Sequence, residues 1–290
     1  MLLLLACAAP AFALEKYGRP LPPIGGVGEE GVARAKEELK QKEHWLRGYV
    51  LGAAFVENPT FTARPDNTGL VGMRYMLHLE TDLYKEYLQF YTDQNFFSDR
   101  REGWIKLTEY DQTYALTGSL QHWGWRIQYE KDAPLDRSGT KQIYADTVLT
   151  YAIDPLGNLA WWKQRLPNQN LTAYAGAGWL FHNQNYFARP DNTGRALYRL
   201  VAHADLDLYK NLAVLFADTN WFTDRSGGRA LTLTELDWIV GIALHWGSAE
   251  LSVYHERDLP LDRGGLVQRY TAVQLRYEFE WIRRSGQGRN

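Results

Sequence analysis

Hydrophobic and polar residues alternate with a period of two along most of the chain. The segment that begins at Val71 is a clear case. One set of alternate positions there is Val71, Met73, Tyr75, Leu77 and Leu79, and the other is Gly72, Arg74, Met76, His78, Glu80 and Asp82. Successive side chains of a strand point to opposite faces, so the pattern predicts a β-strand between an apolar medium and a polar one.

Twelve segments of this kind can be drawn along the chain. We predict strands at about 44–58, 70–83, 85–97, 105–122, 124–133, 142–153, 171–184, 194–208, 210–222, 231–246, 249–259 and 267–281. Short connections that contain DLYK or HWG alternate with longer ones rich in Gly, Pro, Asn, Asp and Arg. Such polar segments are typical of turns and loops, so the strands are expected to run antiparallel.

Much of the chain is written twice. ARPDNTG begins at Ala63 and again at Ala188, 188 − 63 = 125 positions later, and DQNFFSDR at Asp93 corresponds to DTNWFTDR at Asp218. We interpret this as a duplication of a unit of roughly 110 residues. The two copies are predicted at 44–154 and 171–281, joined by a linker over 155–170.

A six-stranded copy would leave two strand edges unpaired. Each backbone N–H or C=O without a partner costs several kcal/mol in hydrocarbon. Twelve strands that close on themselves leave no edge. The sequence therefore predicts an all-β fold, a twelve-stranded antiparallel transmembrane β-barrel built from two six-stranded repeats.

The last predicted strand resembles the C-terminal strand of bacterial outer-membrane β-barrels. One alternate set of its positions is Thr271, Val273, Leu275, Tyr277, Phe279 and Trp281, and a polar tail, 282–290, follows. The alternation of tight turns and long loops is also similar to that class. The resemblance implies a location in the outer membrane, with tight turns on the periplasmic side and long loops outside.

Aromatic residues gather near the ends of the predicted strands. They are Phe96, Phe97, Trp104, Trp123, Trp125, Trp221, Phe222 and Trp246. In a membrane barrel such residues form girdles at the two interfaces, and we expect that role here.

The chain opens with MLLLLACAAPAFA, a Leu run followed by small residues. This pattern predicts a secretory signal over 1–13 with cleavage after Ala13, and a start upstream of Met1 stays open. LLAC also resembles a lipobox, which would make Cys7 a lipidated N-terminus. The following segment, 14–43, is an N-terminal extension. Helix formers from Gly28 to Leu46 predict a short helix there, before the first strand.

Composition excludes two classes of protein. Mean hydropathy is −0.42 and 23% of the residues are charged, which argues against a bundle of apolar transmembrane helices. The formal net charge of −2 gives no basic surface for nucleic acid.

The polar strand faces, turned inward, would line a lumen in which carboxylates outnumber arginines. The predicted lining is Arg74, His78, Glu80, Asp82, Glu109, Asp111, Arg126, Glu130, Arg199, His203, Asp205, Asp207, Glu235, Asp237 and Glu256. We expect a narrow channel for passive passage of small polar or cationic solutes. The alternative is that these charges pair and fill the lumen, because twelve strands lie between filled eight-stranded barrels and open sixteen-stranded ones.

Imidazole next to carboxylates on one strand face, as at His78, Glu80 and Asp82, is a pattern that suits zinc or nickel. A single strand rarely completes a coordination shell. We therefore expect no metal and no cofactor.

Basic residues recur in the predicted external loops. Those singled out are Arg100, Arg101, Arg137, Arg225 and Arg263, most of them next to an Asp. They form surface ion pairs of little energy or bind phosphates of the outer-leaflet lipid, since guanidinium binds phosphate in a bidentate fork. The expected partners are outer-membrane lipid and small solutes, with the oligomeric state open.

Three further alternatives remain. A lipid hydrolase embedded in the barrel would need a nucleophile next to a base, and the weak candidates Ser119 and His122 fall on opposite strand faces. We therefore predict that the protein is not an enzyme. A non-conducting interaction barrel and a soluble pair of six-stranded sandwiches also fit the pattern.

Overall fold

The structure is a computed structural model that describes residues 45–60, 70–84, 87–100, 106–135, 141–153, 171–185, 195–209, 212–224, 232–261 and 267–282. Twelve strands occupy these residues. They are β1 (Trp45–Glu57), β2 (Val71–Tyr84), β3 (Leu88–Asp99), β4 (Leu107–Leu120), β5 (Trp123–Pro134), β6 (Gln142–Ile153), β7 (Leu171–Gln184), β8 (Ala196–Tyr209), β9 (Ala213–Asp224), β10 (Leu233–Trp246), β11 (Ala249–Pro260) and β12 (Gln268–Ile282).

The strands form one closed barrel in which each strand pairs with its neighbours in the chain and β12 pairs with β1. Every pairing is antiparallel. The closing seam runs from Trp45 opposite Ile282 to Glu57 opposite Thr271, with a register shift between Phe55 and Glu57. The predicted fold class, an all-β barrel of twelve antiparallel strands, is confirmed.

Tight two-residue turns close two hairpins at the barrel end where β1 begins. Leu120 pairs with Trp123, and Trp246 pairs with Ala249. Gln121 and Gly247 adopt positive φ angles of 56° and 62° in these turns. Such left-handed conformations match the twist of the flanking strands.

Side chains alternate between a buried and an exposed face along each strand. On β11, Ser252, Tyr254 and Glu256 are buried, whereas Val253 and Arg257, at the alternate positions, are exposed. Because the barrel is a single closed sheet, the buried face is its interior. The alternation of polar and apolar residues in the sequence therefore separates interior residues from outward residues, as predicted.

The outward face carries a broad apolar surface. Its exposed large side chains include Val50, Leu116, Ile127, Tyr129, Leu149, Trp179, Leu200, Leu215, Val240, Ile242, Leu244, Val253, Leu275 and Tyr277. A water-soluble monomer rarely exposes contiguous apolar patches beyond a few hundred Å². No helix among the described residues is long and apolar enough to cross a membrane.

Two sequence-based expectations need correction. Phe97 and Phe222 are 4% and 2% exposed and point into the barrel, so they are not girdle residues. Trp45 and Leu46 belong to β1 and not to a helix. The rest of the predicted helix, residues 28–44, and the linker 155–170 lie outside the described residues.

Part of the interior is apolar. Phe55, Phe97, Ile239, Tyr254 and Tyr270 form a buried cluster near the barrel end with long connections. Smaller clusters surround Leu51 and Leu180. These side chains occupy interior volume that a wide aqueous pore would leave open.

Candidate functional site

The structure places all fifteen predicted lining residues on the inner face. Those buried are Arg74, His78, Glu109, Asp111, Glu130, Arg199, His203, Asp207, Glu235 and Glu256. Those partly buried are Glu80, Asp82, Arg126, Asp205 and Asp237.

His78 sits at the centre of a polar cluster on three adjacent strands. In the strand register, Tyr49 on β1 is opposite His78 on β2, which is opposite Asp93 on β3. The Tyr49 ring stacks on the imidazole with 4.7 Å between centroids and 11° between planes. Nδ1 of His78 lies 2.5 Å from Oδ1 of Asp93, and Nε2 lies 3.5 Å from Oε2 of Glu80.

The second half of the barrel contains a matching cluster on β7, β8 and β9. Tyr174 stacks on His203 with centroids 5.0 Å apart, and Nδ1 of His203 lies 2.8 Å from Oδ1 of Asp218. Nε2 of His203 lies 2.8 Å from Oδ2 of Asp205. Each member follows its counterpart by 125 positions: 174 − 49, 203 − 78, 218 − 93 and 205 − 80. Each imidazole thus lies between two carboxylates. An ionised carboxylate only accepts hydrogen bonds, so each of these contacts is a hydrogen bond only when the ring nitrogen concerned carries a proton.

A tyrosine and a glutamate form a second repeated contact. The Tyr144 hydroxyl donates to Oε2 of Glu130 at 2.7 Å, and the Thr113 hydroxyl donates to the same oxygen at 3.2 Å. Tyr270 donates to Glu256 in the other half. The offset is 126 for both members, 270 − 144 and 256 − 130.

Carboxylates face each other toward the end of the barrel with long connections. Asp111 on β4 is directly opposite Asp132 on β5, and Asp237 on β10 is directly opposite Asp258 on β11. Glu109 and Glu235 follow on the same faces. Like charges in directly opposite positions of an antiparallel pair are destabilising, so this arrangement has an energetic cost that a cation or a proton would lower.

Three arginines inside the barrel contact carboxylates or an amide. Arg199 pairs with Asp146 at 2.7 Å, with both side chains buried. Arg74 donates to Oδ1 of Asn95 at 2.9 Å. At the tight-turn end, Arg47 contacts Glu80 and also lies 3.4 Å from Asp82.

A cavity of about 320 Å³ opens at the tight-turn end, beside the seam between β1 and β12. Its polar lining includes Arg47, Tyr49, His78, Glu80, Glu278 and Glu280. The first His cluster therefore borders a space large enough for a small solute. No group of three or more His, Cys, Asp and Glu side chains among the described residues is arranged to hold a metal ion.

The candidate hydrolase residues do not come together. Ser119 is opposite Gly124 in the β4–β5 hairpin, and His122 is exposed in the turn, with its ring 5.7 Å from Tyr151. No hydrogen bond joins Ser119 to His122 within the part of the chain that is described. This pair therefore gives no support for a hydrolase, and enzymatic activity at other positions stays open.

Of the predicted loop arginines, Arg100 lies in the described region. It is exposed at the end of β3, and its side chain donates to the backbone carbonyl of Phe55. Arg101, Arg137, Arg225 and Arg263 lie outside the described residues.

The surface of the barrel decides where the protein resides. An apolar exterior on a closed sheet with a polar interior inverts the arrangement of a soluble protein, and a closed barrel is the only sheet that can span hydrocarbon. Even numbers of antiparallel strands with alternating outward apolar residues are characteristic of bacterial outer-membrane barrels. The protein is a bacterial outer-membrane β-barrel.

No family model matches the chain, and no curated protein matches it. Several solved structures are similar in fold. KdgM porin has a TM-score of 0.44 and 7% identity, and LpxR from Salmonella typhimurium has 0.47 and 10%; each alignment covers 80% of this chain and 99% of the other. Outer membrane phospholipase A from Escherichia coli has 0.42 and 11%, over 80% and 95%. These likenesses assign no function, because porin and enzyme names occur together at low identity.

The sequence pointed to His78 and His203 but missed their partners Tyr49, Asp93, Tyr174 and Asp218. These partners lie on neighbouring strands, and register across strands is not visible in the period of one strand. The sequence did contain one signal for them: Tyr174 follows Tyr49, and Asp218 follows Asp93, by the same 125 positions that separate the two histidines.

Proposed function

We propose that the barrel is a narrow channel for passive passage of small polar solutes with a preference for cations. The observation that carries the proposal is the charge of the buried interior. Among the described residues, the buried Asp and Glu number fourteen, and the buried Arg are two, Arg74 and Arg199. The carboxylates are Asp93, Asp99, Glu109, Asp111, Glu130, Asp132, Asp146, Asp207, Asp218, Asp224, Glu235, Glu250, Glu256 and Asp258.

Charges of one sign within a low-dielectric wall focus potential along the enclosed path. They raise the local concentration of the opposite ion and exclude like ions. The facing pairs Asp111–Asp132 and Asp237–Asp258 occur toward the end of the barrel with long connections, where a solute from outside would enter. The cavity of about 320 Å³ lies at the opposite end.

Reconstitution of the full chain into planar lipid bilayers tests the proposal. We expect discrete conductance steps and, in a potassium chloride gradient, a reversal potential of the sign given by a cation-preferring pore. Absence of steps, from the full chain and from a variant that lacks residues 14–43, would contradict the channel. A reversal potential of the anion sign would contradict the cation preference.

A second candidate, a non-conducting structural or interaction barrel, is favoured by one observation. The buried cluster of Phe55, Phe97, Ile239, Tyr254 and Tyr270 draws side chains from β1, β3, β10, β11 and β12 into the interior. If this cluster seals the lumen, the wild-type protein shows no conductance in the bilayer. The Phe97→Ala variant, which lacks one ring of the cluster, then conducts. A non-conducting barrel whose Phe97→Ala variant is also silent fits the interaction role.

A further inference from the structure

Two arginines project side by side from the outer face of the barrel. Arg257 on β11 is directly opposite Arg269 on β12. Both side chains are exposed, and each lies between two buried interior residues of its strand, so both point outward. Directly opposite residues of an antiparallel pair have Cβ atoms about 4.5–5.5 Å apart.

Neither guanidinium forms an ion pair or a side-chain hydrogen bond with any residue that the structure describes. Two like charges in opposite positions repel each other, so the arrangement is destabilising unless an anion lies between them. A carboxylate occurs one strand away, at Glu57, but it accepts from the Thr271 hydroxyl at 3.5 Å. Thr271 also contacts Nδ1 of His255 at 3.0 Å, and this polar row separates the arginines from the apolar surface below.

The pair lies at the edge of the apolar exterior. On the same outward faces, toward the tight-turn end, follow Val253, Leu275 and Tyr277, which are 40%, 54% and 55% exposed. Trp238 on β10 is directly opposite Arg257, and tryptophan is enriched at the boundary between hydrocarbon and headgroups. Leu259 and the exposed Leu261 follow in the other direction, before the long connection. Long connections of outer-membrane barrels are extracellular, so we assign this end of the barrel to the outer leaflet.

Lipid phosphates lie just beyond the hydrocarbon boundary. Guanidinium is planar and binds phosphate oxygens bidentately, and two adjacent forks can hold one phosphate or two neighbouring ones. We propose that Arg257 and Arg269 form a binding site for the phosphate of an outer-leaflet lipid headgroup. The site is independent of permeation through the lumen.

The other half of the barrel offers a matched comparison. Lys131 on β5 is directly opposite Ile143 on β6, and these positions precede the arginines by 257 − 131 = 126 and 269 − 143 = 126 residues. The corresponding outward pair in this half thus carries one ammonium group, that of Lys131, and no guanidinium group. A lysine binds phosphate as a point charge, so this pair is expected to bind much more weakly.

Native mass spectrometry of the full-length protein, released from phosphatidylcholine nanodiscs after addition of bisphosphorylated lipid A, tests the site. We expect one tightly bound lipid A. Each charge-assisted contact corresponds to about a tenfold change in affinity, so Arg257→Gln with Arg269→Gln should weaken binding roughly a hundredfold. Lys131→Gln should change it less than twofold, and Ile143→Arg should increase the number of bound lipids.

Heat-modifiable migration on a gel confirms that each variant is folded before it is compared. Equal affinity of the wild type for dephosphorylated lipid A would overturn the proposal, and so would undiminished binding by the folded double variant. Inorganic phosphate tests whether the site binds free phosphate and not a lipid headgroup. If it binds the lipid-free protein as tightly as lipid A does, in a manner that depends on Arg257, the site recognises free phosphate and the lipid assignment is wrong.

Discussion

Nδ1 of His78 lies 2.5 Å from Oδ1 of Asp93 inside the barrel, and the two side chains are 2% and 0% exposed. Nδ1 of His203 and Oδ1 of Asp218 repeat this contact at 2.8 Å in the other half. Removal of one member of such a buried, hydrogen-bonded pair leaves the other without its partner in a site with little water.

Asp93→Asn is therefore expected to lower the free energy of unfolding by about 3 kcal/mol, the usual loss when one member of a buried charged pair is removed. Asp218→Asn should cost a similar amount. Urea unfolding in lipid vesicles, followed by tryptophan fluorescence, measures both. Lys141→Gln, a change at an exposed position, is the control and should stay within about 0.5 kcal/mol. An Asp93→Asn variant as stable as this control would show that the contact is not stabilising.

The facing carboxylates give a prediction on ion selectivity. Conversion of Glu109, Asp111, Glu235 and Asp237 to the corresponding amides should lower the ratio of cation to anion permeability at least about twofold, because the negative potential of the interior is reduced. Reversal potentials in a potassium chloride gradient report this ratio. Glu57→Gln removes a charge from an exposed carboxylate at the end of β1 and serves as the control. An unchanged reversal potential in the fourfold variant is incompatible with selection by these residues.

Two glycines on inner and outer faces test how tightly the interior is packed. A Cβ atom on Gly241 would lie 2.4 Å from Cζ of Phe216 and 2.6 Å from Cβ of Tyr254, whereas one on Gly52 would meet no atom within 4 Å. Gly241→Ala should therefore destabilise the barrel by roughly 1–3 kcal/mol, as overpacking does. Gly52→Ala should be neutral or slightly stabilising. The same urea assay compares the two, and equal stability of both variants would mean that the interior near Phe216 is loosely packed.

The strands could be predicted from the sequence because their pattern depends on local physics. On β2, Arg74 needs polar surroundings and Leu77 needs apolar ones. Because successive side chains of a strand point to opposite faces, one strand can supply both surroundings only when polar and apolar residues alternate with a period of two. The boundaries differ by a few residues: β3 begins at Leu88, whereas the alternation in the sequence predicts a start at about residue 85. The register shift between Phe55 and Glu57 leaves no trace in composition.

The site was predictable in part for a related reason. Inward orientation follows from alternation, so Glu130 and Glu256 could be assigned to the interior without a structure. Their contacts with Tyr144 and Tyr270 depend on register, which is set by turn length and pairing between strands. The same holds for the arginine pair on the outer face, because Arg257 and Arg269 are twelve positions apart in the chain (269 − 257) and meet only through the β11–β12 hairpin.

Alternate residues of each strand face the hydrocarbon and the barrel interior. Single nitroxide labels on β12, attached to cysteines introduced in a Cys7→Ser background at 272, 273, 274, 275, 276 and 277, test it directly through collisions with oxygen in vesicles. We expect high oxygen accessibility at Val273, Leu275 and Tyr277 and low accessibility at Ala272, Gln274 and Arg276. The opposite assignment, or uniform accessibility with no period of two, would contradict it.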